Sequence, residues 1–172
     1  MMWLGSLALA GVPFFSGYYS KEAILGGAYQ SGTILGELAL WIGLLVEGLT
    51  AFYAWRLLLQ TFHGAPRADD RVMAHVHKAP GVMKVPMYIL TLGAIVAGYL
   101  GHDLFLNQTF WNNALAPVAT ALHSVPTWVT VFSLVCITLG LTLAYQFYYK
   151  DRTLPEKLVA RWKGAYLFLF NK

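Results

Sequence analysis

LGSLALAGVPFFSGYYSKEAILGGAY, Leu4 to Tyr29, is the stretch on which the fold turns. It is an apolar run long enough to cross a bilayer, interrupted once by Gly11, Pro13, Ser16 and Gly17 and again by Lys21-Glu22. Pro13 has no backbone N–H, and its ring clashes with the carbonyl of Leu9, so a helix through this region must break or kink. The flanking glycines let the freed backbone take conformations that other residues avoid. In hydrocarbon a broken helix is tolerated only where its loose polar groups meet protein or a water-filled cavity, and such breaks mark ion and substrate sites. A lysine within two turns of the break is therefore a candidate functional residue.

The rest of the composition agrees with a membrane setting. Of 172 residues, 58% are hydrophobic and 12% charged, about half the charged share of an ordinary globular domain, and the mean hydropathy is +0.54. The net charge of +4 comes mainly from two short basic stretches between apolar runs, which argues against a nucleic-acid-binding face. The single cysteine, Cys136, lies inside an apolar run and excludes a disulfide framework or a cysteine metal cluster. Met1 to Val12 carries no basic residue, so no cleavable signal peptide is expected.

Four crossing segments are predicted on a requirement of roughly 20 apolar residues. They run over about 2–28, broken near Pro13, then 33–62, 85–101 and 127–149, all within one membrane unit over 1–172. Pro86 reads as a first-turn residue of the third. The aromatic cluster Tyr145, Phe147, Tyr148 and Tyr149 reads as an interfacial belt at the end of the fourth.

The connections fix orientation. Tyr29–Gly32 and His102–Pro126 contain no Lys or Arg, whereas His63–Lys84 holds Arg67, Arg71, Lys78 and Lys84 and Lys150–Lys172 holds six basic residues. That alternation is the positive-inside pattern, so the basic connections face the inner side and the first segment enters from it. The connection from Asp103 to Ser124 is expected to hold an amphipathic surface helix from Phe110 onward or an apolar loop packed on the bundle. The tail, 150–172, is expected to form one interfacial helix starting at Pro155, with Leu158, Val159, Trp162, Tyr166 and Leu169 on one side.

Lys21 is the leading candidate for chemistry. Desolvation and the positive end of the second half-helix both weigh against the cation, so a lysine there can gain and lose a proton. A permanent ion pair or snorkelling would be the structural reading. Glu22 is favoured by the same dipole and is expected either to cap the half-helix or to join Lys21. Glu47 lies near the middle of the second segment, about 20 Å from either end at about 1.5 Å per residue. It is a relay member or a static counter-ion, with Lys21 as an available partner. Arg56 keeps its proton and can act only electrostatically or snorkel toward lipid phosphates. His75 and His77 stand at i and i+2 beside Asp69-Asp70, but that spacing fits a solvated loop better than a metal site. No phosphate loop, dinucleotide fingerprint or iron–sulfur ligand set is present in the sequence.

With these residues in view, a resemblance emerges. SLALAGVPFFSGYYSKEAIL, LTAFYAWRLLLQTFHGAPR and HVHKAPGVMKVPMYILTLGAIVAGYLG resemble the C-terminal third of the L or fifth subunit of NADH:quinone oxidoreductase, the largest antiporter-like membrane subunit of respiratory complex I. The resemblance implies that the first segment is the broken helix of an inverted repeat. It implies that Lys21 is the proton-path lysine opening to the outside, and that Glu22 stands where aspartate is common. Lys78-Ala79 replaces a usual Glu-Ser pair, and Glu47 matches no family motif.

The resemblance also implies a portion of a longer multi-pass subunit, expected in a bacterial plasma membrane with a mitochondrial inner membrane as the less favoured alternative, partnered by other membrane-arm subunits and by lipid. NADH, FMN, iron–sulfur clusters and quinone would be held by partner subunits, with no cofactor in this chain. The alternatives are the large subunit of a multisubunit sodium/proton antiporter, which shares the fold and the lysine, and a structural membrane module in which Lys21 and Glu47 form a static pair.

Overall fold

The computed structural model describes residues 1–64, 68–76, 80–106 and 125–171, and among these every regular element is helical. The chain is an all-α membrane protein. In order come α1 (Met2–Ala10), α2 (Ser16–Gln30), α3 (Ile34–Phe62), α4 (Asp70–Ala74), α5 (Gly81–Leu106) and α6 (Thr127–Tyr145). A π-helical turn, Gln146–Lys150, extends α6, and α7 (Leu154–Arg161) and α8 (Lys163–Phe170) follow.

Among the described residues, three stretches are long and apolar enough to cross a membrane: Ile34–Phe62, Gly81–Gly98 and Thr127–Lys150. α1 and α2 are each shorter, but together they follow the whole length of α3. At one end the Trp3 ring meets Trp55 edge-on at 4.7 Å and His63 at 5.4 Å between centroids. In the middle Ala10 packs with Ala51 and Ile137. Further on, Leu25 packs with Leu40, Leu44 and Val129. The broken pair thus runs antiparallel to α3, as four crossing segments require.

The turn between α2 and α3 is closed by Thr33, whose hydroxyl accepts from the Gly36 amide and satisfies one of the free donors at the start of α3. α6 packs most extensively on α3. The two backbones meet at glycines: a Cβ on Gly140 would lie 2.2 Å from the Gly48 carbonyl oxygen, and one on Gly48 would lie 3.1 Å from that of Cys136. Small residues at a crossing let membrane helices approach this closely, and the contact itself is the attraction in a solvent as apolar as the side chains. The other faces carry Leu35, Leu38, Ile42, Leu45, Val131 and Leu139 outward, as lipid-facing helices should.

Three boundaries differ from the sequence expectation. The third segment starts at Gly81, not 85, because the Pro80 carbonyl takes the Met83 and Lys84 amides and begins the helix there. Pro86 is consequently inside α5 rather than in its first turn. At the far end α5 continues to Leu106, past the predicted 101. The tail is two short helices rather than one, separated at Trp162, whose backbone at φ −117° and ψ 44° leaves the helical region. The surface helix expected from Phe110, and the positions of Arg67, His77 and Lys78, lie outside the described residues.

Candidate functional site at the helix break

Each feature of the break follows from a local backbone need. α1 ends in a Schellman motif: Gly11 adopts φ 84°, and the amides of Gly11 and Val12 return to the Ala8 and Leu7 carbonyls. Val12 to Phe15 then forms a turn closed by the Phe15 amide on the Val12 carbonyl, with Pro13 at its second position and Phe14 at φ 78° at its third. That pattern is a type II turn, which suits proline second but asks for glycine third. Ser16 opens α2, and at Gly17 the backbone lies so close to α1 that a Cβ would come within 2.2 Å of the Ala8 carbonyl oxygen. From the other side α5 supports the break at Gly98, where a Cβ would reach within 2.5 Å of the Ser16 nitrogen.

The Schellman motif leaves the Leu9 carbonyl for another donor, and Lys21 supplies it. Its Nζ donates to Leu9 O at 2.9 Å, with the side chain folded back beneath Gly11. Lys21 therefore bridges the two half-helices. The negative end of α1 favours the cation, whereas Lys21 is the sixth residue of α2, past the first turn in which the positive end of that helix is felt. The sequence expectation counted only the positive end of α2, because the relation to α1 depends on how the broken halves sit.

Glu47 is buried, 5% exposed, in the stretch of α3 that faces the break. It accepts a hydrogen bond from Ser133 Oγ on α6, itself 2% exposed, and lies within electrostatic reach of Lys21 and Glu22. Tyr18 donates to Glu22 one turn along α2. Lys21, Glu22 and Glu47 are thus brought together, with Tyr18 and Ser133 added to them.

Glu22 does not cap α2. It is the seventh residue of a helix that Phe15 precedes without a side-chain cap, past the first turn in which the dipole is felt. Arg56 stands apart from the cluster, exposed on α3 with its guanidinium 5.4 Å from the Tyr148 ring centroid, a cation–π contact at one end of the bundle. Tyr18 and Ser133 are the members that sequence reasoning missed, and Ser133 was the harder to find. A lone serine in an apolar helix has many bland explanations, and only the glycine crossing reveals its partner.

The chemistry available is proton exchange. A primary amine and a carboxyl, in a stratum walled by apolar helices, can each hold or release a proton, while the break supplies backbone groups free to rebond. A neighbouring cavity of about 310 Å³, lined by Ser6, Leu9, Tyr53, Leu57, Leu90 and Thr91 among others, is predominantly apolar.

Comparison with known proteins sharpens the picture. No protein-family model matches the chain. It is 35% identical over its whole length to NADH-ubiquinone oxidoreductase chain 5 of Marchantia polymorpha, covering 27% of that protein. It is 40% identical over 84% of its length to NADH-quinone oxidoreductase subunit L of Mycobacterium tuberculosis, covering 23% of it. Over 66% of its length it is 44% identical to the chain 5 protein of Dictyostelium citrinum, covering 17%. The chain spans about a quarter or less of the length of the curated relatives it matches.

Proposed function

Because this chain belongs to the family of NADH-ubiquinone oxidoreductase chain 5 and NADH-quinone oxidoreductase subunit L, matching a portion of that larger subunit, we propose that it carries part of a proton path. The path crosses the membrane arm of an NADH:quinone oxidoreductase. Electron transfer from NADH to quinone, with FMN and iron–sulfur clusters, belongs in this reading to partner subunits. The membrane is taken to be a bacterial plasma membrane, with the other membrane-arm subunits and lipid as neighbours.

One observation carries the reading: Lys21 bridges the broken halves of a membrane helix to the Leu9 carbonyl, within electrostatic reach of the buried Glu47. As a cation Lys21 satisfies the end of α1; when neutral it loses most of that attraction. Protonation is thereby tied to the geometry of the break, and a change in the break can release or capture a proton. Glu47, of opposite charge, favours the protonated lysine and can take part in the exchange.

The test is Lys21→Ala in the native subunit, assembled in its complex. Assembly and electron transfer from NADH should persist, while protons moved per electron fall. A fully assembled mutant with normal proton-to-electron stoichiometry would overturn the reading.

A further inference from the structure

Ser133 and Glu47 lie 86 residues apart in the chain, on two helices whose backbones touch at Gly48 and Gly140. The glycine contact leaves no slack in the separation of α3 and α6. The Ser133 hydroxyl is therefore held against the Glu47 carboxyl by backbone packing and not by a flexible side chain reaching for it.

A serine is suited to an acid that changes charge. Toward a carboxylate its O–H donates, as the geometry of the pair allows. Toward a protonated carboxyl the roles can reverse, the carboxyl O–H donating to Oγ. Both states of Glu47 can therefore keep a hydrogen bond to Ser133. A lysine at 133, with donors only, would strongly favour the carboxylate, and an alanine would leave the buried carboxyl without this partner in either state.

We propose that Ser133 is a positioning residue that holds Glu47 in both protonation states and makes the α3–α6 crossing part of the proton-handling machinery. The inference rests on the proton-path reading and deepens it. The titratable groups that act on Glu47 are Lys21, Glu22 and Tyr18 from α2 and Cys136 from α6. Ser133 and Cys136 both lie on α6, and Ser133 is the one hydrogen-bonded to Glu47.

The experiment compares Ser133→Ala and Ser133→Thr in the native subunit within its assembled complex, each with and without Glu47→Gln. Two readouts are taken: the pH profile of proton translocation, and the infrared carboxyl band that Glu47→Gln removes. Ser133→Ala should displace the pH midpoint by an amount equivalent to a roughly five- to tenfold change in the Glu47 protonation equilibrium, because the hydrogen bond to the ionised carboxylate is the stronger of the two that are lost. It should shift the carboxyl band as well. Ser133→Thr, which keeps the hydroxyl, should restore both. In the Glu47→Gln background, Ser133→Ala should have no further effect.

A pH profile and band unchanged by Ser133→Ala would overturn the inference, and so would an equal effect of that change with Glu47 already replaced. These failures are distinct from failure of the underlying reading, which is decided by proton stoichiometry in Lys21→Ala. If Lys21→Ala abolishes pumping while Ser133→Ala changes nothing, only the inference falls.

Discussion

Lys21 and Glu47, a base and an acid in one stratum of the molecule, are held by opposite means. Lys21 is half-buried and tied to a backbone carbonyl across a turn in which two residues, Gly11 and Phe14, have positive φ. Glu47 is buried and tied to a side chain at a crossing where two glycine backbones touch. The first holding can change if the turn changes. The second rests on a backbone approach that cannot change without separating two long helices. A proton path needs both: a group whose surroundings switch, and a group that stays still while its charge is exchanged.

Breaking the rigid side should have the largest effect. In Gly140→Leu a Cβ 2.2 Å from the Gly48 carbonyl oxygen forces α3 and α6 apart. Overpacking costs about 1–3 kcal/mol, and separating Ser133 from the carboxyl adds about 1.5–3 kcal/mol. The expected outcome is a subunit that assembles poorly, seen as lost complex on native gels and a lower Tm of what remains. Normal assembly with an undisturbed Glu47 carboxyl band would show that the crossing is not what holds Glu47.

Breaking the adjustable side should be milder and more selective. Gly11→Ala places a side chain at φ 84° and within 3.2–3.3 Å of the Lys21 Cδ and Nζ. The left-handed conformation costs a non-glycine residue about 1–2 kcal/mol. Assembly should be lowered only modestly, proton translocation should fall, and the Glu47 band should stay where it is. A shift of that band comparable to the one in Ser133→Ala would mean the two holdings are not independent.

The adjustable side was also the more legible in the sequence. Pro13 between Gly11 and Gly17 announces a break because a proline cannot donate and glycine can turn, and both facts are local. The depth of Glu47 follows from counting residues along one apolar helix. Ser133 was not legible, because its role depends on a crossing between helices far apart in sequence, and neither Gly48 nor Gly140 differs in sequence from a glycine that merely fills an apolar run. The favourable end of α1 for Lys21 escaped for the same reason. Even local signals compete: Pro80 and Pro86 both look like helix starts, and the carbonyl of the earlier one wins. In the tail, the periodic apolar positions continue across Trp162 although the helix does not.

The finest test of the comparison is Phe14→Gly. Phe14 holds φ 78° in a turn position that favours glycine, and its ring is 76% exposed within this chain, so little packing here is lost with it. Relief of the left-handed strain, about 1–2 kcal/mol, is largely offset by the added backbone entropy of a glycine, about 0.5–1 kcal/mol. Net stability should change by no more than about 1.5 kcal/mol, within a few degrees of Tm. What should change is local motion: a glycine there admits alternatives to the type II turn, so amides from Val12 to Tyr18 should exchange faster with deuterium. Those around Glu47 and Ser133 should keep their protection, because their holding does not pass through the turn. Exchange that rises equally at both places would mean the break and the crossing move as one body, and Lys21 and Glu47 would then be two ends of a single rigid pair.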